Sequence, residues 1–170
     1  YLKETIHCKP RNDLLTDQQL EMVWLELPTK GTAPNILLCC CYRPPNSETS
    51  YSMSILDTFE KAQSEEKHIE IFGDMNYDYD LEDKSYTNPI FRIESLFSLS
   101  QLVQSPTREV NGSSNILDVI LTSCPNRHPI TGVHKSTFSD HYTIYTCLAI
   151  DHIPKKHKEV RFRNYRGFDE

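Results

Sequence analysis

Three short polar motifs, each inside or next to an apolar strand-like segment, constrain this chain most. They are Gly73-Asp74-Met75-Asn76 after His68–Phe72, Asp118 within Ile116–Thr122, and Ser139-Asp140-His141 before the last apolar segment. A carboxylate inside a buried strand is costly unless it has a partner. These residue types are what a metal-assisted phosphodiester hydrolase needs, because hard cations prefer oxygen ligands and a catalytic histidine needs a carboxylate to hold its tautomer.

Length and composition predict one globular domain. The chain has 170 residues, of which 38% are hydrophobic and 25% are charged, and this length allows one core but is short for two. No apolar run approaches the length of a membrane span, and the N-terminus lacks a signal-peptide pattern, so we predict an intracellular protein without a membrane partner. Because it begins at Tyr1 inside a strand-like segment, the chain is expected to be a piece of a larger product.

The charge is unevenly distributed. Residues 155–166 carry six Lys or Arg and one Glu, a net +5, which leaves −11 for the rest of a chain whose total is −6. The basic segment is either a solvated linker or an arm that contacts phosphate groups. The acidic remainder would repel a phosphate backbone unless divalent metal offset its carboxylates.

The cysteine and histidine patterns do not predict a zinc site. Six cysteines include no CxxC pair, and neighbours in Cys39-Cys40-Cys41 point to opposite faces of a strand. We interpret the cysteines as small buried hydrophobic residues in a reducing compartment. The histidines outside the Ser-Asp-His motif share no ligand spacing and are expected to be structural or exposed: His7, His68, His128, His134, His152 and His157.

Apolar periodicity predicts more strands than helices. Strands are predicted over residues 1–8, 20–27, 36–42, 68–72, 102–105, 116–122, 131–133 and 141–150. One helix is predicted over 52–64, with Ser54-x-x-Asp57 as a capping signal, and a second after the cap Asn88, with Pro89 at its first position. This mixture indicates an α/β domain, with two sheets or one large sheet and helices outside.

Four motifs carry a family resemblance: Tyr42-Arg43-Pro44-Pro45, Gly73-Asp74-Met75-Asn76, Leu117-Asp118-Val119-Ile120 and Ser139-Asp140-His141. In this order they resemble the endonuclease/exonuclease/phosphatase superfamily, and most of all the endonuclease domain of non-LTR retrotransposons. The resemblance implies a DNase I-like four-layer sandwich of two mixed β-sheets flanked by helices. It covers the C-terminal two-thirds of that domain. The family's early Asn and its metal-binding Glu are unmatched, since Glu4-Thr5 stands in the wrong segment.

The resemblance also implies roles for the residues of the motifs. Asp74 is expected to orient or activate the nucleophile, and Asn76 to contact the phosphate. Asp118 is expected to orient His141, which would act as general base or as a donor to the transition state. Asp140 would bind the metal, Mg²⁺ or Mn²⁺.

Further candidates lie around these motifs. Tyr42 ends a strand, where the family places a phosphate-contacting group. Arg43 is a candidate for bidentate contact with phosphate. Thr107 and Arg108 lie in a stretch that contributes DNA contacts in related nucleases.

The implied function is metal-dependent nicking of one DNA strand, which leaves a 3′-hydroxyl for target-primed reverse transcription. Residues 1–151 would form the nuclease, and residues 152–170 a basic linker, because 163–169 resemble the segment before a reverse transcriptase. DNA and a parent polyprotein with a reverse transcriptase would be the partners, and the nucleus the location. Two alternatives stay open: an inactive remnant or DNA-binding module, and a phosphatase of the same superfamily.

Overall fold

The computed structural model describes residues 3, 6–29, 31–79, 88–137 and 139–150. The strands of this part are β1 (Lys9–Pro10), β2 (Met22–Leu27), β3 (Ile36–Tyr42), β4 (His68–Asp74), β5 (Ser100–Gln101), β6 (Arg108–Val110), β7 (Ser113–Asn115), β8 (Asp118–Thr122), β9 (Ile130–His134) and β10 (Thr143–Cys147). The helices are α1 (Thr49–Gln63) and α2 (Pro89–Phe97), with short 3-10 helices at Asn12–Leu14 and Pro125–Arg127. Within these ranges, neither α-helix has the length and apolar character needed to cross a bilayer.

A six-stranded mixed sheet organises the molecule, in the order β1-β2-β3-β4-β8-β5. β3 and β4 are parallel and are connected through α1, as parallel neighbours require a crossover. β4 and β8 are antiparallel, so the C-terminal end of β4 meets the start of β8. The predicted α/β class is confirmed, and the order of strands brings the Gly-Asp-Met-Asn motif next to Asp118.

The helix α1 covers one face of the sheet through Ile55, Phe59 and Ala62, which recur at helical spacing and are buried. Phe59 meets the rings of Trp24 and Phe97 edge to face, at centroid distances of 6.2 and 5.9 Å. The predicted start of this helix was three residues late. Because α1 begins at Thr49, Ser54-x-x-Asp57 lies inside it, and the true cap position, Glu48, makes no side-chain capping bond.

The structure confirms the predicted cap and the predicted first residue of the second helix, α2. The side chain of Asn88 accepts hydrogen bonds from the backbone N–H of Ile90 and Phe91, and Pro89 occupies the first turn. Ile90, Ile93 and Phe97 are buried. Leu96, predicted to face inward, is instead half exposed.

A smaller antiparallel pair, β9 and β10, lies beside the main sheet. Its residues Val133 and Ile144 are paired across the strands and pack against the hydrophobic core. A hairpin of β6 and β7 turns at Asn111 and Gly112, both with positive φ, as a two-residue hairpin turn requires. In the described residues, the predicted second sheet is therefore the antiparallel pair of β9 and β10.

In the described part of the chain, only one face of β3 is covered over the C-terminal half of the strand. Cys39 and Cys41 are buried under the helices, but Cys40 and Tyr42, which point the other way, are exposed. Val23, opposite Cys40 on β2, is also exposed. Among the described residues, β10 packs against β8. Cys147 is exposed too, and Cys8 and Cys124 are partly exposed, so the predicted burial holds only for Cys39 and Cys41 among the six free thiols.

The N-terminal segment also differs from prediction. Lys3 and residues 6–8 are not part of a regular strand, and the edge strand β1 is only Lys9–Pro10; the rest of the predicted strand lies outside the described residues. The predicted strand 102–105 is replaced by β5 two residues earlier. The proposed linker 152–170 also lies outside the described residues.

A buried arginine stabilises the edge of the main sheet at β1 and β2. Arg11 is 6% exposed, and its guanidinium bonds to the carboxylates of Asp13, Glu26 and Glu65. Lys67 bonds to Glu26 and Glu65 as well, at 2.9 and 2.7 Å. The network joins β2 to the end of α1.

Candidate active site

Three candidate residues form a row across the main sheet. Tyr42 at the end of β3 is paired with Asp74 at the end of β4, and Asp74 is paired with Asp118 at the start of β8. Directly opposite residues on neighbouring strands point to the same face. The topology therefore brings together three side chains that are 32 and 44 residues apart in the sequence.

Asp118 is hydrogen-bonded to His141. Its Oδ2 lies 2.9 Å from Nδ1 of His141, and because a carboxylate can only accept, Nδ1 donates this hydrogen bond. The backbone of His141 is held by a bridge to Arg108 and by a hydrogen bond from its N–H to Oγ of Ser139 at 3.1 Å. The tautomer is thereby set, and Nε2 is left for chemistry.

Asp74 completes a cluster with these two groups. Its Oδ2 is 3.9 Å from Nε2 of His141, and ligand atoms of Asp74, Asp118 and His141 all lie within 4.8 Å of one another. Burial raises the pKa of Asp74, and the charge of Asp118 raises it further. Two carboxylates this close repel each other, and their hard oxygens suit a divalent cation such as Mg²⁺.

The loop after β4 does not continue the extended conformation of the strand. Asn76 has a positive φ of 47°, and its backbone N–H donates to Oδ1 of Asp74 at 2.9 Å, an Asx-type turn. Its side-chain amide donates to the carbonyl of Arg43 at 2.8 Å. The alternation rule for strands therefore does not apply here, and the phosphate contact of Asn76 stays a prediction.

Thr107 lies beneath the cluster and is fully buried. Its Oγ1 accepts hydrogen bonds from the backbone N–H of Leu117 and Asp118, at 3.0 and 3.1 Å. Its carbonyl accepts from the N–H of Tyr142 at 2.7 Å. Thr107 thus joins the start of β8 to the segment that carries His141, and a direct contact with substrate would require these bonds to break.

Arg108 and Asp140 form a pair at the rim. Nε of Arg108 donates to Oδ2 of Asp140 at 2.8 Å, and the side chains are 39% and 56% exposed. The bond from Arg108 lowers the pKa of Asp140. Asp140 lies outside the cluster of Asp74, Asp118 and His141 in this structure, so its role as a metal ligand stays a prediction.

Arg43, predicted to contact phosphate, faces the other way and is 7% exposed. Its guanidinium lies 4.0 Å from the ring centroid of Tyr77, and its Nε donates to Oγ of Ser52 at 3.2 Å. Further bonds go to the carbonyls of Pro44 and Ser47. Alternation along the strand explains this, since Tyr42 occupies the face of Asp74 and the next residue must face α1.

The supporting contacts of two residues were not predicted from the sequence. Ser139 caps the turn before His141, and Asp78 bonds to the side chain of Asn115 at 2.6 Å and to the backbone N–H of Ile116. The recurrence of polar side chains at Asp74, Asn76 and Asp78 was a signal for the second of these.

With this geometry established, comparison with solved structures identifies the class of fold. The chain matches the endonuclease domain of TRAS1, a telomere-specific non-LTR retrotransposon, with a TM-score of 0.68 and 16% identity over 86% of this chain and 69% of that domain. Beta toxin from Staphylococcus aureus matches with a TM-score of 0.51 and 14% identity, over 76% of this chain and 57% of the toxin. The fold is the DNase I-like fold of the endonuclease/exonuclease/phosphatase superfamily, as predicted.

The family follows from the sequence itself. The sequence model of the family described as endonuclease-reverse transcriptase matches residues 36–145, well over half of the chain. This protein belongs to that family. A comparison with curated proteins gives no significant match.

Proposed function

We propose that this chain is the nuclease part of a non-LTR retrotransposon protein and hydrolyses a phosphodiester bond in one strand of DNA, with Mg²⁺ or Mn²⁺ as cofactor. The observation that carries the proposal is the contact of His141 with Asp118 on one side and Asp74 on the other. A histidine held between two carboxylates is suited to proton transfer in hydrolysis. Membership of the endonuclease-reverse transcriptase family supports DNA as the class of substrate.

Each residue then has a defined task. Asp118 accepts the Nδ1 proton of His141 and fixes the ring, and Nε2 exchanges a proton with the attacking water or with a phosphate oxygen. Asp74, 3.9 Å from Nε2, positions the attacking water. Tyr42, on the same face of the sheet, contacts the phosphate through its exposed edge.

The proposed cation binds to carboxylate oxygen. Asp74 and Asp118 supply oxygens within the cluster, and Asp140 has a second oxygen besides the one that Arg108 contacts. When bound, the ion stabilises negative charge on the phosphate oxygens. We assign Nε2 of His141 to proton transfer and the metal to the carboxylates, since hard divalent cations prefer oxygen ligands.

The wider assignment rests on the family description. We propose residues 1–151 as the nuclease domain, residues 152–170 as the connection to a reverse transcriptase in a parent polyprotein, and the nucleus as the location, where DNA is the substrate. The six Lys or Arg of residues 155–166 would contact DNA phosphates and offset the acidic remainder.

A plasmid assay tests the proposal. The purified chain is incubated with supercoiled DNA, with Mg²⁺ or with EDTA, and compared with the variants His141→Ala and Asp140→Ala and with the control Asp57→Asn, an exposed carboxylate on α1. We expect nicking that requires both Mg²⁺ and His141 and that survives in the control. A folded protein that binds DNA without nicking it would support the remnant or DNA-binding alternative. Phosphate release from an inositol or lipid phosphate, without nicking, would support the phosphatase alternative.

A further inference from the structure

A second polar cluster lies on the same two strands as the candidate active site, four residues away. Glu70 on β4 is paired with Thr122 on β8, just as Asp74 is paired with Asp118. Four residues of strand correspond to about 13 Å. Around Glu70 lie Cys124 and His128, which follow β8, and ligand atoms of these three residues are within 4.8 Å of one another.

The side chains of Glu70 and His128 are each only 1% exposed. Oε1 of Glu70 lies 3.2 Å from Nε2 of His128 and 3.3 Å from Sγ of Cys124. Oε2 of Glu70 is buried without a hydrogen-bond partner in the described part of the chain. Oε1 also accepts a hydrogen bond from Oγ1 of Thr122 at 2.8 Å, and the one ion pair of Glu70 among the described residues is with His128. Oε2 therefore lacks the compensation that a buried carboxylate oxygen requires.

Thr146 on β10 lies beside the other ring nitrogen of His128. Oγ1 of Thr146 is 2.9 Å from Nδ1 of His128, 2.9 Å from Oγ1 of Thr131 and 3.0 Å from the carbonyl oxygen of Ile130. A metal bound at Nε2 requires the tautomer in which Nδ1 carries the proton and donates to Thr146. That tautomer is available here, because the hydroxyl of Thr146 can donate to the carbonyl of Ile130 at the same time.

The distances fit a metal ion. Zinc lies about 2.0 to 2.3 Å from nitrogen, oxygen and sulfur ligands, so the ligand atoms of a tetrahedral site are about 3.3 to 3.8 Å apart. The two separations from Oε1 of Glu70 are 3.2 and 3.3 Å. A thiolate, an imidazole and a carboxylate form a ligand set that favours zinc over Mg²⁺.

His68 on β4 is the candidate for a fourth ligand, although its ring nitrogens lie outside the group formed by Glu70, Cys124 and His128, and its side chain would have to turn toward them. His68 stands two residues before Glu70 and therefore on the same face of the strand. Its Nε2 is buried and has no hydrogen-bond partner among the described residues.

We propose that Glu70, Cys124 and His128, with His68 as fourth ligand, form a structural Zn²⁺ site. Sequence analysis missed it because Cys124-x-x-x-His128 is a weak signal by itself; strand pairing and the short helix after β8 bring this pair to Glu70. The ion would join β4 to the segment after β8 and, through the bond between His128 and Thr146, to β10. That hairpin contacts the core beside His141, so the site would fix the position of the catalytic histidine. The inference does not depend on the proposed nuclease activity.

Cobalt is the probe for the test, because Co²⁺ replaces Zn²⁺ and bonding to a thiolate produces near-ultraviolet charge-transfer absorption. The reduced full chain is freed of metal with EDTA and titrated with Co²⁺ and then with Zn²⁺. We expect one Co²⁺ per chain with the thiolate band, and loss of the band when Zn²⁺ is added. Cys124→Ser should abolish the band, whereas the exposed-cysteine controls Cys40→Ser and Cys147→Ser should retain it.

Two further variants separate this site from the candidate active site and from misfolding. Thr146→Val keeps all ligands but removes the partner of Nδ1, and should weaken Co²⁺ binding about 10- to 100-fold. Asp118→Asn should leave the thiolate band unchanged. Absence of the band in the folded wild-type chain, its persistence in Cys124→Ser, or unchanged affinity in Thr146→Val would overturn the proposal, and a proton would then be the group between Glu70 and His128.

Discussion

Asp118 and His141 are joined by a hydrogen bond of 2.9 Å between Oδ2 and Nδ1, although 23 residues separate them in the sequence. The bond sets the ring so that Nε2 lies beside Asp74. Both partners are held by backbone contacts to the segment of Thr107 and Arg108. The geometry of the Asp118–His141 pair is therefore determined by strand packing.

The first prediction concerns this bond. Asp118→Asn should lower the rate of DNA nicking by on the order of 10²-fold or more, with little change in DNA affinity, because an amide can hold His141 in the wrong tautomer. Single-turnover nicking and equilibrium binding measure the two effects separately. The control is Asp57→Asn on α1. A loss confined to affinity would contradict the orienting role.

The second prediction separates two roles of Asp140. If it binds the metal, Asp140→Asn should raise the Mg²⁺ concentration needed for half-maximal nicking, because one oxygen ligand is weakened. Arg108→Gln, which removes the other half of the pair, should leave that concentration unchanged. Equal shifts in both variants would mean that the ion pair, and not metal binding, is the function of Asp140.

The third prediction concerns Gly73. A Cβ at this position would lie 1.8 Å from the carbonyl oxygen of Cys41 on the neighbouring strand, so β3 and β4 would have to separate. Gly73→Ala should lower the free energy of unfolding by about 3 kcal/mol. Urea denaturation measures this loss. As a comparison, Gly132→Ala meets only the flexible side chain of Tyr145 and should cost less; an equal loss would argue against the backbone clash.

The fourth prediction concerns stability at low pH. Burial opposes ionisation of Glu26, but hydrogen bonds from Lys67, Asn35 and Arg11 outweigh it and lower the pKa of Glu26 from 4.5 to about 2. Because this pKa is depressed in the folded state, the stabilisation is present above pH 4.5 and is lost as pH falls toward about 2.

The variant Arg11→Met tests this dependence of stability on pH. Removing one partner of a buried ion pair costs about 3 kcal/mol, and the variant should also lose part of the pH dependence between pH 4.5 and 2. Urea denaturation at several pH values gives both quantities. A variant with the wild-type pH dependence would show that Arg11 does not set the pKa of Glu26.

The fifth prediction concerns the basic segment 155–166. If its Lys and Arg contact phosphate groups, deleting it should flatten the dependence of DNA affinity on salt, because fewer counterions are released. Binding titrations at several salt concentrations test this. An identical slope would identify the segment as a linker.

Sequence analysis predicted the α/β class, the bounds of β3, the cap of α2 and the polar motifs, because apolar periodicity and capping are local properties of the chain. It also named Asp74, Asp118 and His141 as candidates, since polar residues at strand ends are conspicuous among apolar neighbours. The start of α1 was predicted less well. The first turn of α1 has no capping residue in the sequence. Tyr51 and Ser52 in this turn instead make hydrogen bonds to Tyr42 and Tyr77, which are distant in the sequence.

Only the tertiary structure decided how these residues are combined. The order of strands placed Asp74 opposite Asp118 and Glu70 opposite Thr122, and alternation along β3 turned Arg43 away from the site. The tertiary structure also directs Asp140 to Arg108 and away from the cluster that contains its neighbour His141. The sequence by itself determined which chemical groups are available and which local elements form. Which groups meet depends on strand pairing between distant segments, which no local pattern specifies.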